Sequence, residues 1–199
     1  MKTASKLRLF LATLFCVFCA ATAQAQQTYI AFMDGPSEAS PNMSPGTGFA
    51  QVTINLSTHI LQVHADFTGL MGTVTAAHIH APTTTPMAGT AGVATAQPTF
   101  PGFPSGVTSG TYDMSFDMLD SGTWNPSYVT ANGGTTMGAE TAFAQALADG
   151  KAYFNIHTSS FGGGEIRGFL VVPEPSTVGL LVIGGLAVLV GARKARRRS

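Results

Sequence analysis

Three histidines are the residues of this sequence best placed to do chemistry. His78 and His80 lie two apart in a segment, residues 75–81, that alternates like a β-strand. Side chains two apart on a strand leave on the same face, so both imidazoles point one way. Tyr153, Asn155 and His157 share a face of a later predicted strand. If those two strands adjoin, three imidazoles converge. Three ring nitrogens suit zinc or copper and leave a coordination position open. The competing expectation is structural, with His78, His80 and His157 hydrogen-bonded to Glu165, Asn155 or backbone carbonyls and organising one end of the domain. Glu165 and Arg167 are also two apart on a predicted strand. Arg167 is one of very few cations in its part of the chain, and the pattern predicts a partly covered structural ion pair with Glu165, Glu38 or another acid.

Other chemistries find little support. No Gly-x-Ser-x-Gly elbow is present, which disfavours a hydrolase triad. The run Gly162-Gly163-Gly164 leads into a strand rather than a helix, so it reads as a hairpin turn and not as a phosphate loop. No catalytic residue is assigned.

The elements that must position these groups read as short strands between glycine- and proline-rich turns. Residues 51–56 and 61–67 alternate and predict an antiparallel hairpin, with His59 on the turn and His64 on the wet face, both solvated. Residues 29–32, 75–81 and 112–118 predict further strands, and a short one is expected near 92–94. Residues 152–158 and 165–172 predict a closing hairpin. Residues 124–137 look irregular, and one short helix is expected over 140–148, stopped by Gly150. Seven or so short strands with turns between them predict an all-β domain, an antiparallel sandwich or barrel.

The chain has 199 residues, 45% of them hydrophobic and 10% charged, which excludes a disordered chain and fits one domain between two end segments. Its formal charge of zero hides a segregation. Residues 26–172 hold only Lys151 and Arg167 against nine acids. Such a body cannot neutralise many phosphates, so nucleic acid is an unsuitable partner. Residues 1–25 read as a signal peptide: Lys2, Lys6 and Arg8 precede an apolar run over 9–21, and Ala23-Gln24-Ala25 offers a small-x-small cleavage site. Both cysteines, Cys16 and Cys19, lie in that run. Once it is removed, no disulfide, thiolate nucleophile or cysteine-ligated zinc remains.

The other end has three parts. Pro173-Glu174-Pro175 is followed by an uncharged stretch over 177–192 and a basic tail over 193–199. As a helix the 16 uncharged residues reach roughly 24 Å against a hydrocarbon core of ~30 Å, a gap that snorkelling cations and local thinning can close. The basic tail is expected on the cytoplasmic side and the body outside. The arrangement resembles the PEP-CTERM sorting signal. That resemblance implies export, transient tethering to the inner membrane through a transmembrane helix, and processing by an exosortase, with the product at the cell surface or released. The alternative is a permanent single-span tail.

Three segments of the body, in order, resemble the CHRD domain. They are the opening Gly35-Pro36-Ser37-Glu38-Ala39-Ser40-Pro41, the central Ala76-Ala77-His78-Ile79-His80-Ala81-Pro82, and the closing segments over 152–158 and 163–168. Ala81 stands where the family usually has glycine, and residues 122–139 look like an insertion. The resemblance implies an immunoglobulin-like antiparallel β-sandwich of Greek-key type and no particular activity. Cu/Zn superoxide dismutases present paired histidines on a related sandwich, which is an analogy of fold only. Two functional expectations follow. One is a non-enzymatic, surface-sorted module in the cell envelope or exopolysaccharide matrix, binding an exopolysaccharide or an envelope protein. The other is a zinc- or copper-binding protein, extending to a superoxide-dismutase-like oxidoreductase, built on His78, His80 and His157.

Overall fold

The computed structural model describes residues 26–173. The expected leader with its Ala23 and Ala25 cleavage site, the sorting residues Glu174 and Pro175, the span 177–192 and the basic tail all lie outside the described residues, and only Pro173 of the sorting motif falls inside them. Among the described residues no helix is long and apolar enough to cross a membrane.

The fold is mostly β. Strands β1 (Gln26–Asp34), β2 (Thr47–Asn55), β3 (Ile60–Thr68), β4 (Val74–His80) and β5 (Gly110–Asp117) come first. Helices α1 (Pro126–Ala131) and α2 (Thr136–Ala148) follow, then β6 (Tyr153–Thr158) and β7 (Ile166–Phe169). The strands form one antiparallel sheet in the order β4-β6-β7-β1-β2-β3-β5. Alternation decides which face is inside. On β1, Tyr29, Ala31 and Met33 are buried, and on β2 and β3 so are Ala50, Val52, Ile54, Leu61, Val63, Ala65 and Phe67.

A two-sheet sandwich is only partly what forms. The strands are antiparallel and one face of the sheet is apolar, but the hydrogen-bonded ladder does not break into two. It is carried across by Asp34 pairing with Arg167 and by Ile30 and Val171, which exchange backbone hydrogen bonds of 2.8 and 2.9 Å. The sheet instead curls, and the segment between β4 and β5 fills its interior. Phe100 places its ring 5.8 Å from Phe154 of β6 and 5.5 Å from Phe116 of β5, so one side chain bridges the two ends of the sheet. Full burial of such a ring is worth about 1.5–3 kcal/mol. Phe103 stacks at 5.6 Å on Phe67 and sits 4.9 Å from Tyr112.

Other differences are local. No strand forms near residue 93, where a single bridge joins Val93 to His80. The supposedly irregular stretch after Trp124 contains α1, capped by the Asn125 side chain with proline at its start, and α2 begins a turn earlier than residue 140, capped by Thr135. Helix α2 buries Ala139, Phe143, Ala146 and Leu147, and Phe143 meets Trp124 edge-on at 5.4 Å. His59 is not merely solvated. Its backbone is left-handed (φ 57°), and its Nδ1 lies 2.9 Å from Glu140, a buried acid of α2.

Candidate metal centre

Strands β4 and β6 are hydrogen-bonded neighbours. The register sets Ala76 against His157, His78 against Asn155 and His80 against Tyr153. Directly opposed residues in a sheet share a face. His78, His80 and His157 therefore converge, as the spacing predicts, with His157 diagonal to His78. Ring centroids are 4.7 Å apart for His78–His80 and for His78–His157, and 6.0 Å for His80–His157. One nitrogen from each ring can be chosen so that all lie within 4.8 Å of one another.

The tautomers are set by what holds the other nitrogen. His78 Nδ1 faces the Pro98 carbonyl at 3.3 Å, His80 Nδ1 the Ala91 carbonyl at 2.8 Å, and His157 Nδ1 the Gly162 carbonyl at 3.0 Å. A carbonyl only accepts, so each Nδ1 carries the proton and each Nε2 keeps a free lone pair. Two connections supply these three carbonyls: Ala91 and Pro98 lie in the β4–β5 segment and Gly162 in the β6–β7 turn. The Nε2 atoms of His80 and His157 are buried and have no hydrogen-bond partner among the described residues. Buried acceptors without partners are rare and costly. An imidazole held through Nδ1–H by a backbone carbonyl, with Nε2 free, is the arrangement proteins use to orient a metal ligand.

Electrostatics agree with neutral rings. Burial, with the neighbouring imidazoles His80 and His157 adding to it, depresses the His78 pKa from 6.5 to about 3. Burial likewise depresses His80 to about 4 and lowers His157. Tyr153 stacks flat on His80 at 4.7 Å, and the Arg167 guanidinium sits 4.9 Å over the Tyr153 ring.

Among the acids expected to partner Arg167, the structure selects Glu38 over Glu165. Arg167 does not pair with Glu165. Its Nε donates to the Ser37 carbonyl and lies 4.0 Å from Glu38, and its Nη1 donates to the Gly89 carbonyl at 3.0 Å. Glu165 is already saturated. It accepts from Ser44 Oγ and Thr158 Oγ1 at 2.6 Å and from the backbone N–H groups of Met71 and Gly72. Burial works against its charge, but those four donors hold its pKa below the usual value. The reason for the difference is local, because Glu165 lies just before β7 rather than within it, so strand alternation does not govern where it points. Glu38 instead takes Asn155 Nδ2 at 2.6 Å, next to the His78 register position. Gly164 closes this corner. Its φ is +124°, and a Cβ there would collide with Glu38 and Asn155. The anchoring carbonyls of Ala91, Pro98 and Gly162 had no signal in the sequence, since any residue type supplies a carbonyl.

Comparison with known families gives two matches. The family model for the CHRD domain matches residues 29–170, and that for the PEP-CTERM protein-sorting motif matches residues 171–198. No curated protein and no solved structure matches the chain.

Proposed function

Because the chain belongs to the CHRD domain family and ends in a PEP-CTERM sorting motif, we propose that it is an exported, exosortase-processed surface module whose folded body holds one zinc or copper ion on His78, His80 and His157. The body is taken as a variant of the immunoglobulin-like sandwich, its layers being the β4-β6-β7 and β1-β2-β3-β5 portions of the curled sheet. Export starts from the leader over 1–25, and the span 177–192 tethers the chain until the tail is removed.

The observation that carries the metal reading is the pair of buried Nε2 acceptors without partners, in rings whose Nδ1 protons are already committed. A purely structural trio would be expected to use both nitrogens of each ring. Three neutral nitrogens fit zinc or copper and fit magnesium or calcium poorly, since those prefer oxygen. Bound there, the ion would supply Lewis acidity or, as copper, one-electron chemistry. The chain's own residues would orient it: three backbone carbonyls fix the rings, and Tyr153 packs against His80. The role assigned is metal binding in a non-enzymatic module, with no reaction attached.

The test is elemental analysis of the exported protein purified without a polyhistidine tag. One zinc or copper per chain is expected, lost when the three histidines are replaced by alanine. Sub-stoichiometric metal that is unchanged in the triple variant overturns the reading.

A further inference from the structure

The face of the sheet opposite the core is organised in cross-strand rows over β1, β2, β3 and β5. In one row Phe32, Phe49, Asp66 and Thr111 stand side by side. In the next, His64 lies between Gln51 and Asp113. Phe32 is 75% exposed, and its ring lies 5.4 Å from that of Phe49, which in turn lies 6.3 Å from His64. A lone exposed phenylalanine needs no explanation, but rings abutting in one strip, tilted by 52° and 57° and flanked by Ile30 on a largely polar face, make a ridged apolar platform.

The polar groups beside that platform are held in place. His64 Nδ1 lies 2.8 Å from Asp113 and Nε2 3.0 Å from Asp66, and Thr111 Oγ1 donates to the other Asp66 oxygen at 2.6 Å. Side chains tied to one another lose less freedom when a ligand arrives. Adjacent strands set the positions in each row about 4.8 Å apart, close to the width of a pyranose ring. Such a ring presents a C–H face that packs on an aromatic platform and equatorial hydroxyls that meet fixed donors and acceptors. Charge narrows the class. Neither row holds a lysine or arginine, whereas Asp66 and Asp113 are carboxylates, in a body with two cations against nine acids. A polyanion would be repelled here.

We propose that this outer face, centred on Phe32, Phe49 and the His64 row, binds a polysaccharide without acidic groups, built of neutral or amino-bearing hexoses. The site is on strands other than β4 and β6, so it goes beyond the metal centre and does not depend on it.

The test is retention of the exported protein on insoluble β-glucan, cellulose and chitosan against alginate, with affinities measured on soluble oligosaccharides of the retained polymer. Retention on a neutral or amino glycan but not on alginate is expected. Phe32→Ala should weaken it about tenfold, the scale of one lost aromatic contact, with thermal midpoint and metal content unchanged because the ring is exposed. Should Phe32→Ala prove unstable, Gln51→Ala in the neighbouring row is expected to show a loss in the same direction. Retention on none of these polymers, preference for alginate, wild-type binding by Phe32→Ala (or by Gln51→Ala in its place), or self-association through this face without glycan retention would each overturn the proposal.

Discussion

A histidine whose Nδ1 proton is given to a backbone carbonyl has only Nε2 left to offer, and its pKa shows what the surroundings permit it to hold. In His78 and His80 burial refuses the proton, leaving pKa values of about 3 and 4 where an unfolded histidine has 6.5. Between pH 6.5 and about 4 the unfolded chain therefore binds protons that the folded chain rejects, so stability falls as pH falls through that window. His64 works with the opposite sign. Its hydrogen bond to Asp113 raises its pKa, so its contribution is present at low pH and lost on raising the pH through the folded value. That site is open to solvent screening and is the weaker of the two effects. Denaturant midpoints of chelator-treated protein should accordingly drop between pH 7 and pH 5, and the drop should shrink in His78→Gln/His80→Gln. A midpoint that holds or rises at pH 5, or a drop that persists in the double variant, would show that the imidazoles are not kept neutral by the fold. The histidine trio was legible because strand periodicity ties spacing to direction. Of the partners expected for Arg167, Glu38 is the one found, and Glu165 is not, because it lies one residue before the strand whose alternation would have aimed it.

At the scale of elements, what decides the fold is the handover between β7 and β1, where the sheet stays continuous. Gly168 sits at that handover, and a Cβ on it would run into the backbone carbonyl of Phe32. A backbone carbonyl in a ladder cannot swing away as a flexible side-chain tip can. Gly168→Ala should therefore force β7 away from β1 and destabilise the domain by ~2–4 kcal/mol, at the upper end of single-residue effects. Gly162→Ala is the control, since a Cβ at that position would meet nothing within 4 Å and its φ is unexceptional. Equal denaturant midpoints for the two variants would remove the handover from the account. Strand existence could be read from alternation, and so could the local β2–β3 and β6–β7 hairpins. Which distant strands meet could not. Nothing in the local pattern of residues 26–34 indicates that β1 lies between β2 and a strand more than a hundred residues later. Helix α1 and the first turn of α2, which precede the expected helix over 140–148, were missed for another reason. Gly133, Gly134 and Gly138 mask a start that the caps Asn125 and Thr135 mark plainly once seen.

For the whole molecule, charge is segregated along the chain. Cations gather in the two ends, and the body between them carries two cations against nine acids. A basic cluster after an uncharged stretch resists passage through the membrane, while an acidic body meets no such barrier to staying outside. The described body ends at residue 173, where Pro173 and the preceding Val171 and Val172 are exposed, so the chain leaves the fold on its surface. Proline lacks an N–H and biases its predecessor away from helix, so the sequence around Glu174, with a proline on either side, predicts an extended, unpaired cleavage segment. A peptidase acting at the membrane would then meet an unpaired strand of chain rather than folded structure. Cells with a functioning exosortase should yield a surface or released form whose intact mass lacks both residues 1–25 and the basic tail. Replacing Pro173, Glu174 and Pro175 together with alanine should leave the tail attached and the protein in the inner-membrane fraction, with the body still folded. A triple variant processed like the wild type would mean that the motif does not direct cleavage. A wild-type surface form that keeps residues 193–199 would mean the span is a permanent anchor.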